Sequence, residues 1–466
     1  MGNAGLAREH ALHDHDGAAR DQGGKVIIGV SGGEYGVRGF FSAYDAETGQ
    51  MAWRFYTVPG DPSKPFEHPD LEAAAKTWSG EWWKIGGGAP VWNGMAYDPD
   101  ADLVYVGTGQ PGPWTEVSRG PGDNLYTDCI VAVRGATGKL VWYYQEVPGD
   151  DWDYDSIADL MLADLTMNGR PRQVIMHAPK DGFFYVLDRR TGELLSADPW
   201  VTVTWASGVN LKTGRPTVNP EARYGATSVS VMPGPGGGHV WPPWSFNPAT
   251  GLVYIPGTIG GAYNYSADLK FVPSPTDIGP AGRGRMNMGT SFGGGRGGRG
   301  VDPAVGPRVT SAAPAEGRDP ATSAIPAIGP EGRGNILVAW DPVAGKERWR
   351  GLAAGFNQGG TLATGGNVVF SSVNTRLLAY RADTGEQLLD LPTGLSQMGP
   401  PMTFLLDGKQ YLAVAGGPPA PPDGGRRGVG GGQAAALAAP GQPSRMLVFI
   451  LDGKAALPPA PAAPRN

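Results

Sequence analysis

The chain has a single cysteine, Cys129, in 466 residues. That excludes an internal disulfide, a Cys-x-x-Cys-His haem attachment and any zinc site built from cysteines. Charged side chains are also few, at 18%, and acids outnumber bases to leave a net charge of -6. No basic stripe is present to draw nucleic acid or an anionic membrane. No apolar run reaches the length of a membrane span. The polar first residues, Met1 to Gly24, lack the apolar core of a signal peptide. They contain His10, His13 and His15, which are expected in a tail without fixed structure rather than at a metal.

Glycine and proline are abundant, at 75 and 44. That composition disfavours long helices and favours many short strands joined by tight turns. A pattern repeats along the chain. Ala43 to Trp53 reads Ala-Tyr-Asp-Ala-Glu-Thr-Gly-Gln-Met-Ala-Trp, and Ala132 to Trp142 and Ala339 to Trp349 follow it. Weaker copies run Val186 to Ser196 and Ala379 to Leu389, and related hairpins are expected at Ala96 to Val106 and Ser245 to Ile255. Each copy reads as a strand, a turn closed by glycine, and a second strand; glycine supplies the positive φ such turns need. The terminal Trp is a large apolar body able to dock between units. The repeat predicts an all-β fold and favours a β-propeller over a β-sandwich or an open array. Template matching finds strands for about six blades. Two Gly- and Pro-rich stretches, 274–334 and 418–444, break the pattern and read as flexible insertions. The first includes Gly293 to Arg299, an Arg-Gly run of the kind that can bind RNA, but it has almost no aromatics and sits in an acidic chain. The propeller is therefore expected over 25–454, between tails at 1–24 and 455–466.

The densest chemistry lies between Pro148 and Ser156, where Asp150, Asp151, Asp153 and Asp155 surround Trp152 and Tyr154. In an extended backbone Asp153 and Asp155 project to the same side. Two carboxylates forced together repel, and one tends to take up a proton. A hard cation between them removes the conflict. Alternatively one of the pair serves as a general base.

With these elements the chain resembles the quinoprotein alcohol dehydrogenases of the methanol/ethanol type, which use pyrroloquinoline quinone (PQQ). The likeness runs over residues 24–261 and 335–417. The family fold is an eight-bladed propeller. Ser31-Gly32-Gly33-Glu34 resembles the family's Ser-Gly-Ala-Glu loop, which implies that Ser31, Gly32 and Gly33 lie against the quinone and that Glu34 is a metal ligand. Gly86 to Trp92 resembles the segment whose Trp forms the floor beneath the ring, which assigns that role to Trp92. Gln110, in Gly107 to Pro111, stands where the family has an Asn ligand. It keeps the amide oxygen one methylene further out, so it coordinates with altered geometry or not at all. Asp153 matches the catalytic base and a metal ligand. Asp155 matches the additional aspartate of lanthanide-dependent members, where calcium-dependent ones carry a small residue. Lys180 matches the family's Lys or Arg near the quinone oxygens, where a cation stabilises negative charge on the reduced ring.

Two departures stand out. His239-Val240-Trp241 replaces a motif with a central Asn near the quinone. Only 30 residues precede Ser31, where the family has a long segment carrying a pair of adjacent cysteines over the ring. The resemblance thus implies an incomplete, open ring that stacks PQQ on Trp92 from one side. It also implies a calcium or lanthanide ion, a small alcohol as substrate, a cytochrome c-type electron acceptor and a periplasmic location. The rival reading is a propeller that serves as a non-catalytic scaffold or an inactive remnant.

Overall fold

The computed structural model describes residues 19–20, 24–260, 262–272, 287–292, 334–354, 359–395, 397–417, 444–454 and 457. The expected tails, the two insertions and their Arg-Gly run lie almost entirely outside these residues.

The hairpin repeats form as the glycine-closed turns predict. The first antiparallel sheet takes Ala19–Arg20, Lys25–Gly29, Phe40–Asp45 and Met51–Tyr56 in chain order. The second takes Met95–Asp98, Leu103–Gly107, Cys129–Arg134 and Leu140–Gln145; the third takes Met161–Met167, Arg170–His177, Phe183–Asp188 and Leu194–Pro199. Ser245–Asn247, Leu252–Ile259, Gly334–Asp341 and Lys346–Leu352 make the fourth sheet. Gly360–Thr364, Val368–Val373, Arg376–Arg381 and Gln387–Pro392 make the fifth. Met402–Leu406, Lys409–Gly416 and Arg445–Ile450 form a three-stranded sixth sheet. Two smaller sheets pair Ala206–Asn210 with Arg215–Val218, and Tyr263–Ala267 with Val229–Val231 and Thr290–Phe292.

Successive sheets pack face to face. Ile27, Phe41 and Trp53 of the first sheet share a buried cluster with Val104 and Val131 of the second. Tyr105 and Trp142 of the second meet Ile175 and Tyr185 of the third, and the later sheets continue the stack. A sheet covered on both faces needs apolar side chains on both. Leu103–Gly107 is accordingly buried at every position. This is the architecture of a β-propeller.

The repeated tryptophan and glycine hold one sheet to the next. Trp53 donates its indole N–H to the Gly135 carbonyl at 2.9 Å, Trp142 to that of Arg189 at 3.2 Å, and Trp349 to that of Ala382 at 2.9 Å. Each indole lies on the turn glycine of the following sheet. A Cβ on Gly138, Gly192 or Gly385 would fall 2.6, 2.6 or 2.7 Å from Trp53, Trp142 or Trp349. These glycines also hold φ of +69°, +74° and +76°, so both backbone and space require them. The aspartate opening the turn organises it. Asp45 Oδ1 accepts from the backbone of Glu47 and Thr48, and Asp188 Oδ1 from that of Arg190 and Thr191.

In a four-stranded meander the connections alternate between two ends. The Trp-docked turns, which join third strands to fourth, all fall at one end. The segments that join second strands to third, and one sheet to the next, fall at the other. Residues 30–39, 108–128, 146–160 and 178–182 are all of that second kind. The fold thus gathers at one end every segment on which the sequence placed a site residue.

Candidate functional site: a buried carboxylate–lysine cluster

Lys180 follows strand Arg170–His177 and is 5% exposed. Its Nζ lies 2.9 Å from Asp153 Oδ2 and 2.7 Å from Asp155 Oδ2. Asp155 Oδ1 accepts from the Gln110 backbone N–H at 2.9 Å, and the Gln110 side-chain N–H donates to Glu34 Oε1 at 2.9 Å. Glu34, Gln110, Asp153, Asp155 and Lys180 therefore form one connected set, drawn from four inter-strand segments.

Glycines make room for it. Gly32 takes φ +93°, and a Cβ on Gly33 would stand 2.9 Å from Pro90 Cδ and 3.0 Å from Gln110 Nε2. A Cβ on Gly109 would stand 2.5 Å from Asp155 Oδ1. Gly237 packs on the lysine itself, where a Cβ would fall 2.4 Å from Lys180 Cα. The Gly238 N–H donates to the Lys180 carbonyl at 2.9 Å.

Burial governs the electrostatics. It pushes the Asp153 carboxyl well above the usual range; Lys180 opposes the shift, while Asp155 and Glu34 add to it. Burial also raises Glu34, with Asp155 adding and Lys180 opposing. For Lys180, burial pulls down, but Asp153 and Asp155 outweigh it and hold the ammonium above its ordinary value.

The convergence of Asp153 and Asp155 has a different cause from the expected one. Residues 153–157 are not a strand, and Asp153 has φ +68°. What holds the loop is Asp150, whose Oδ1 accepts from Trp152 N at 2.8 Å and Oδ2 from Tyr154 N at 2.9 Å. Trp152 and Tyr154 are fully buried, and their polar ends donate to the carbonyls of Ala222 and Pro233. Of the four aspartates, Asp150 and Asp151 brace the loop while Asp153 and Asp155 face the lysine.

The remaining expected residues fall around this set. Ser31 is exposed, at the mouth of the Glu34 loop. Trp92 is half-buried; what ties it to the site is backbone, the Val91 N–H donating to the Val30 carbonyl at 2.8 Å. His239 braces the lysine turn, with Nδ1 2.8 Å from the Ala178 carbonyl and Nε2 2.8 Å from that of Pro242. Sequence reasoning missed Asp128. Its buried carboxyl is pushed well up by burial, then by Asp150 and Asp155. Nothing local marks it, because its neighbours come from another loop.

The donors fit a hard cation in part. Asp153 Oδ1 and Gln110 Oε1 are buried without hydrogen-bond partners among the described residues, beside two further carboxylates. Such oxygens suit calcium or a lanthanide. Among the described residues, however, no three His, Cys, Asp or Glu side chains gather round one point. Lys180 neutralises the two aspartates directly.

The chain is thus a propeller that carries a buried acid–lysine cluster on the loops of one end. The sequence model of the PQQ family, described as glucose/ethanol/alcohol dehydrogenase β-propeller domain, matches residues 19–198. Quinohemoprotein alcohol dehydrogenase ADH IIB of Pseudomonas putida is 46% identical over 453 residues, which is 96% of this chain and 59% of that protein. The quinohemoprotein alcohol dehydrogenase of Comamonas testosteroni is 44% identical over 448 residues, 95% of this chain and 57% of that one. A crystal structure of the Comamonas testosteroni enzyme superposes with a TM-score of 0.77 at 39% identity, covering 96% of this chain and 61% of that chain. A europium-containing methanol dehydrogenase gives 0.68 at 31% identity, over 86% and 65% of the two chains. The chain belongs to the PQQ-dependent quinoprotein alcohol dehydrogenase family. It spans somewhat over half the length of the curated relatives it matches.

Proposed function

We propose that this chain serves PQQ-dependent oxidation of a small alcohol to its aldehyde, in the periplasm, with electrons passed to an external cytochrome c-type acceptor. The observation that carries the reading is the state of Asp153. One of its carboxylate oxygens is anchored on Lys180 at 2.9 Å, and the other is buried without a hydrogen-bond partner among the described residues. That second oxygen, Oδ1, is the atom that takes the hydroxyl proton. Burial raises its affinity for protons, which strengthens it as a general base.

Bound PQQ supplies the two-electron acceptor that the protein's own side chains lack. Gly32 and Gly33 would form the small-residue loop against it, Trp92 would offer a flat apolar face, and Lys180 would supply positive charge to stabilise a reduced ring. Glu34, Asp153, Asp155 and Gln110 Oε1 would hold calcium or a lanthanide, which polarises a carbonyl as a Lewis acid. The europium in the similar methanol dehydrogenase supports the lanthanide alternative. Per turnover one alcohol gives one aldehyde, two electrons and two protons, the first proton leaving through Asp153.

The test is dye reduction by the purified chain with PQQ and either calcium or lanthanum. Turnover that falls by about 10²–10⁴ in Asp153→Asn supports the assignment. Failure to bind PQQ, judged by absorbance, would favour the scaffold reading.

A further inference from the structure

We propose that Arg119 and Arg223 are positioning residues that clamp the Pro148–Trp152 backbone from two sides and so set Asp153 and Asp155 against Lys180. The proposal deepens the site reading above and rests on it for the identity of the atoms being positioned.

Arg119 closes the short helix Glu116–Arg119 and is buried. Its Nη2 donates to the Asp150 carbonyl at 2.9 Å, and its Nε to Asn124 Oδ1 at 2.9 Å. Nη1 donates to the carbonyls of Pro113 and Trp114. A guanidinium spends its donors in a fixed planar fork, so this one ties the Asp-rich loop to the 113–124 segment in one geometry. Arg223 lies on the opposite side in sequence. It pairs with Asp151 Oδ2 at 2.7 Å and donates to the Gly149 carbonyl. Its guanidinium lies 4.7 Å over the Trp152 ring, a cation–π contact. Asp151 also stands 4.0 Å from Arg119 and accepts from the Glu116 N–H at 2.6 Å.

Asp153 needs this support because its backbone has φ +68°, a conformation a non-glycine residue holds only when its surroundings impose it. The loop has no strand ladder to do so. The Asp150 cap fixes the turn from within, and the two arginines fix where that turn sits. Within the loop the guanidinium contacts fall on residues 148–152, short of Asp153 and Asp155, so their effect passes through the backbone between.

The experiment uses the full chain without PQQ or added metal. Lys180 is labelled with an amine-acylating reagent and followed by peptide mass spectrometry. A buried, doubly paired ammonium is labelled only as fast as its surroundings open. Arg223→Met should speed labelling at least about tenfold, as local opening of this loop predicts. Arg223→Lys, which keeps charge but not the fork, should restore part of the protection. Gly385→Ala, a frame lesion in the fifth sheet, should leave labelling unchanged and so separates positioning from general destabilisation. Arg119→Met repeats the test from the other side. Unchanged protection in both methionine variants overturns the proposal, as does equal labelling in Gly385→Ala. Because no cofactor is present, those outcomes leave the catalytic reading standing, and loss of turnover in the assay above leaves the clamp standing.

Discussion

The Lys180 ammonium lies 2.7 Å from the Asp155 carboxylate, and both groups are buried. A buried pair of this kind is costly to break, because the surviving charge has no water to turn to. Here one cation answers two acids, Asp153 being 2.9 Å away. Lys180→Met should therefore destabilise the chain by about 3–5 kcal/mol. Calcium or lanthanum should recover more of that loss than it adds to the unsubstituted chain, since a metal can replace the missing charge. Thermal unfolding with and without metal checks both parts; an unmoved melting temperature would remove the lysine from the charge balance.

Replacing Asp155 with Ala should weaken lanthanide-supported activity more than calcium-supported activity. A trivalent ion gains more from an extra anionic oxygen than a divalent one. Parallel titrations with lanthanum and calcium decide it, and equal losses would end the argument.

Cation binding should strengthen as pH rises. Glu34 and Asp153 are both pushed above the usual carboxylate range, chiefly by burial. Each must release its proton to bind metal, so protons compete at pH values where exposed carboxylates are already ionised. Terbium luminescence sensitised by tryptophan would follow the affinity. Affinity that is flat from pH 5 upward would contradict the shift.

Asp150 gives a stability test. Its carboxyl is pushed up to about 6, first by burial. Raised above its unfolded value, it contributes stability that is full below about 3.9 and is lost as pH rises through the folded value. Urea unfolding should show that loss in the native chain and not in Asp150→Asn. Matching pH slopes in the two proteins would refute it.

The frame has its own test. Trp142→Ala should cost about 3–5 kcal/mol, and Gly192→Ala about 1–3 kcal/mol, because they are the two sides of one contact. The double variant should fall short of their sum. Full additivity, read by denaturant unfolding, would mean the indole is not seated on that glycine.

What could be read from the sequence was what a local rule encodes. The Thr-Gly turns and their tryptophans were legible because spacing within about ten residues fixes them. Asp153 and Asp155 were legible as a pair, but the alternation argument gave the wrong reason, since the loop is not extended. Family likeness singled out Glu34 and Gln110 separately as metal ligands; the hydrogen bond between them, across 76 residues, had no signal in the spacing. Arg223 and Asp151, 72 residues apart, had no signal at all: a lone arginine in a loop looks the same whether it is solvated or clamps a backbone.

The opposite placement of the Trp-docked turns and the acid–lysine loops has a consequence for how such a protein can change. The turns are wired neighbour to neighbour, so an altered tryptophan or glycine is felt by the two sheets it joins. The loops at the other end carry none of those docking contacts. Drift in what the site accepts can therefore proceed while the repeat that builds the frame is copied unchanged.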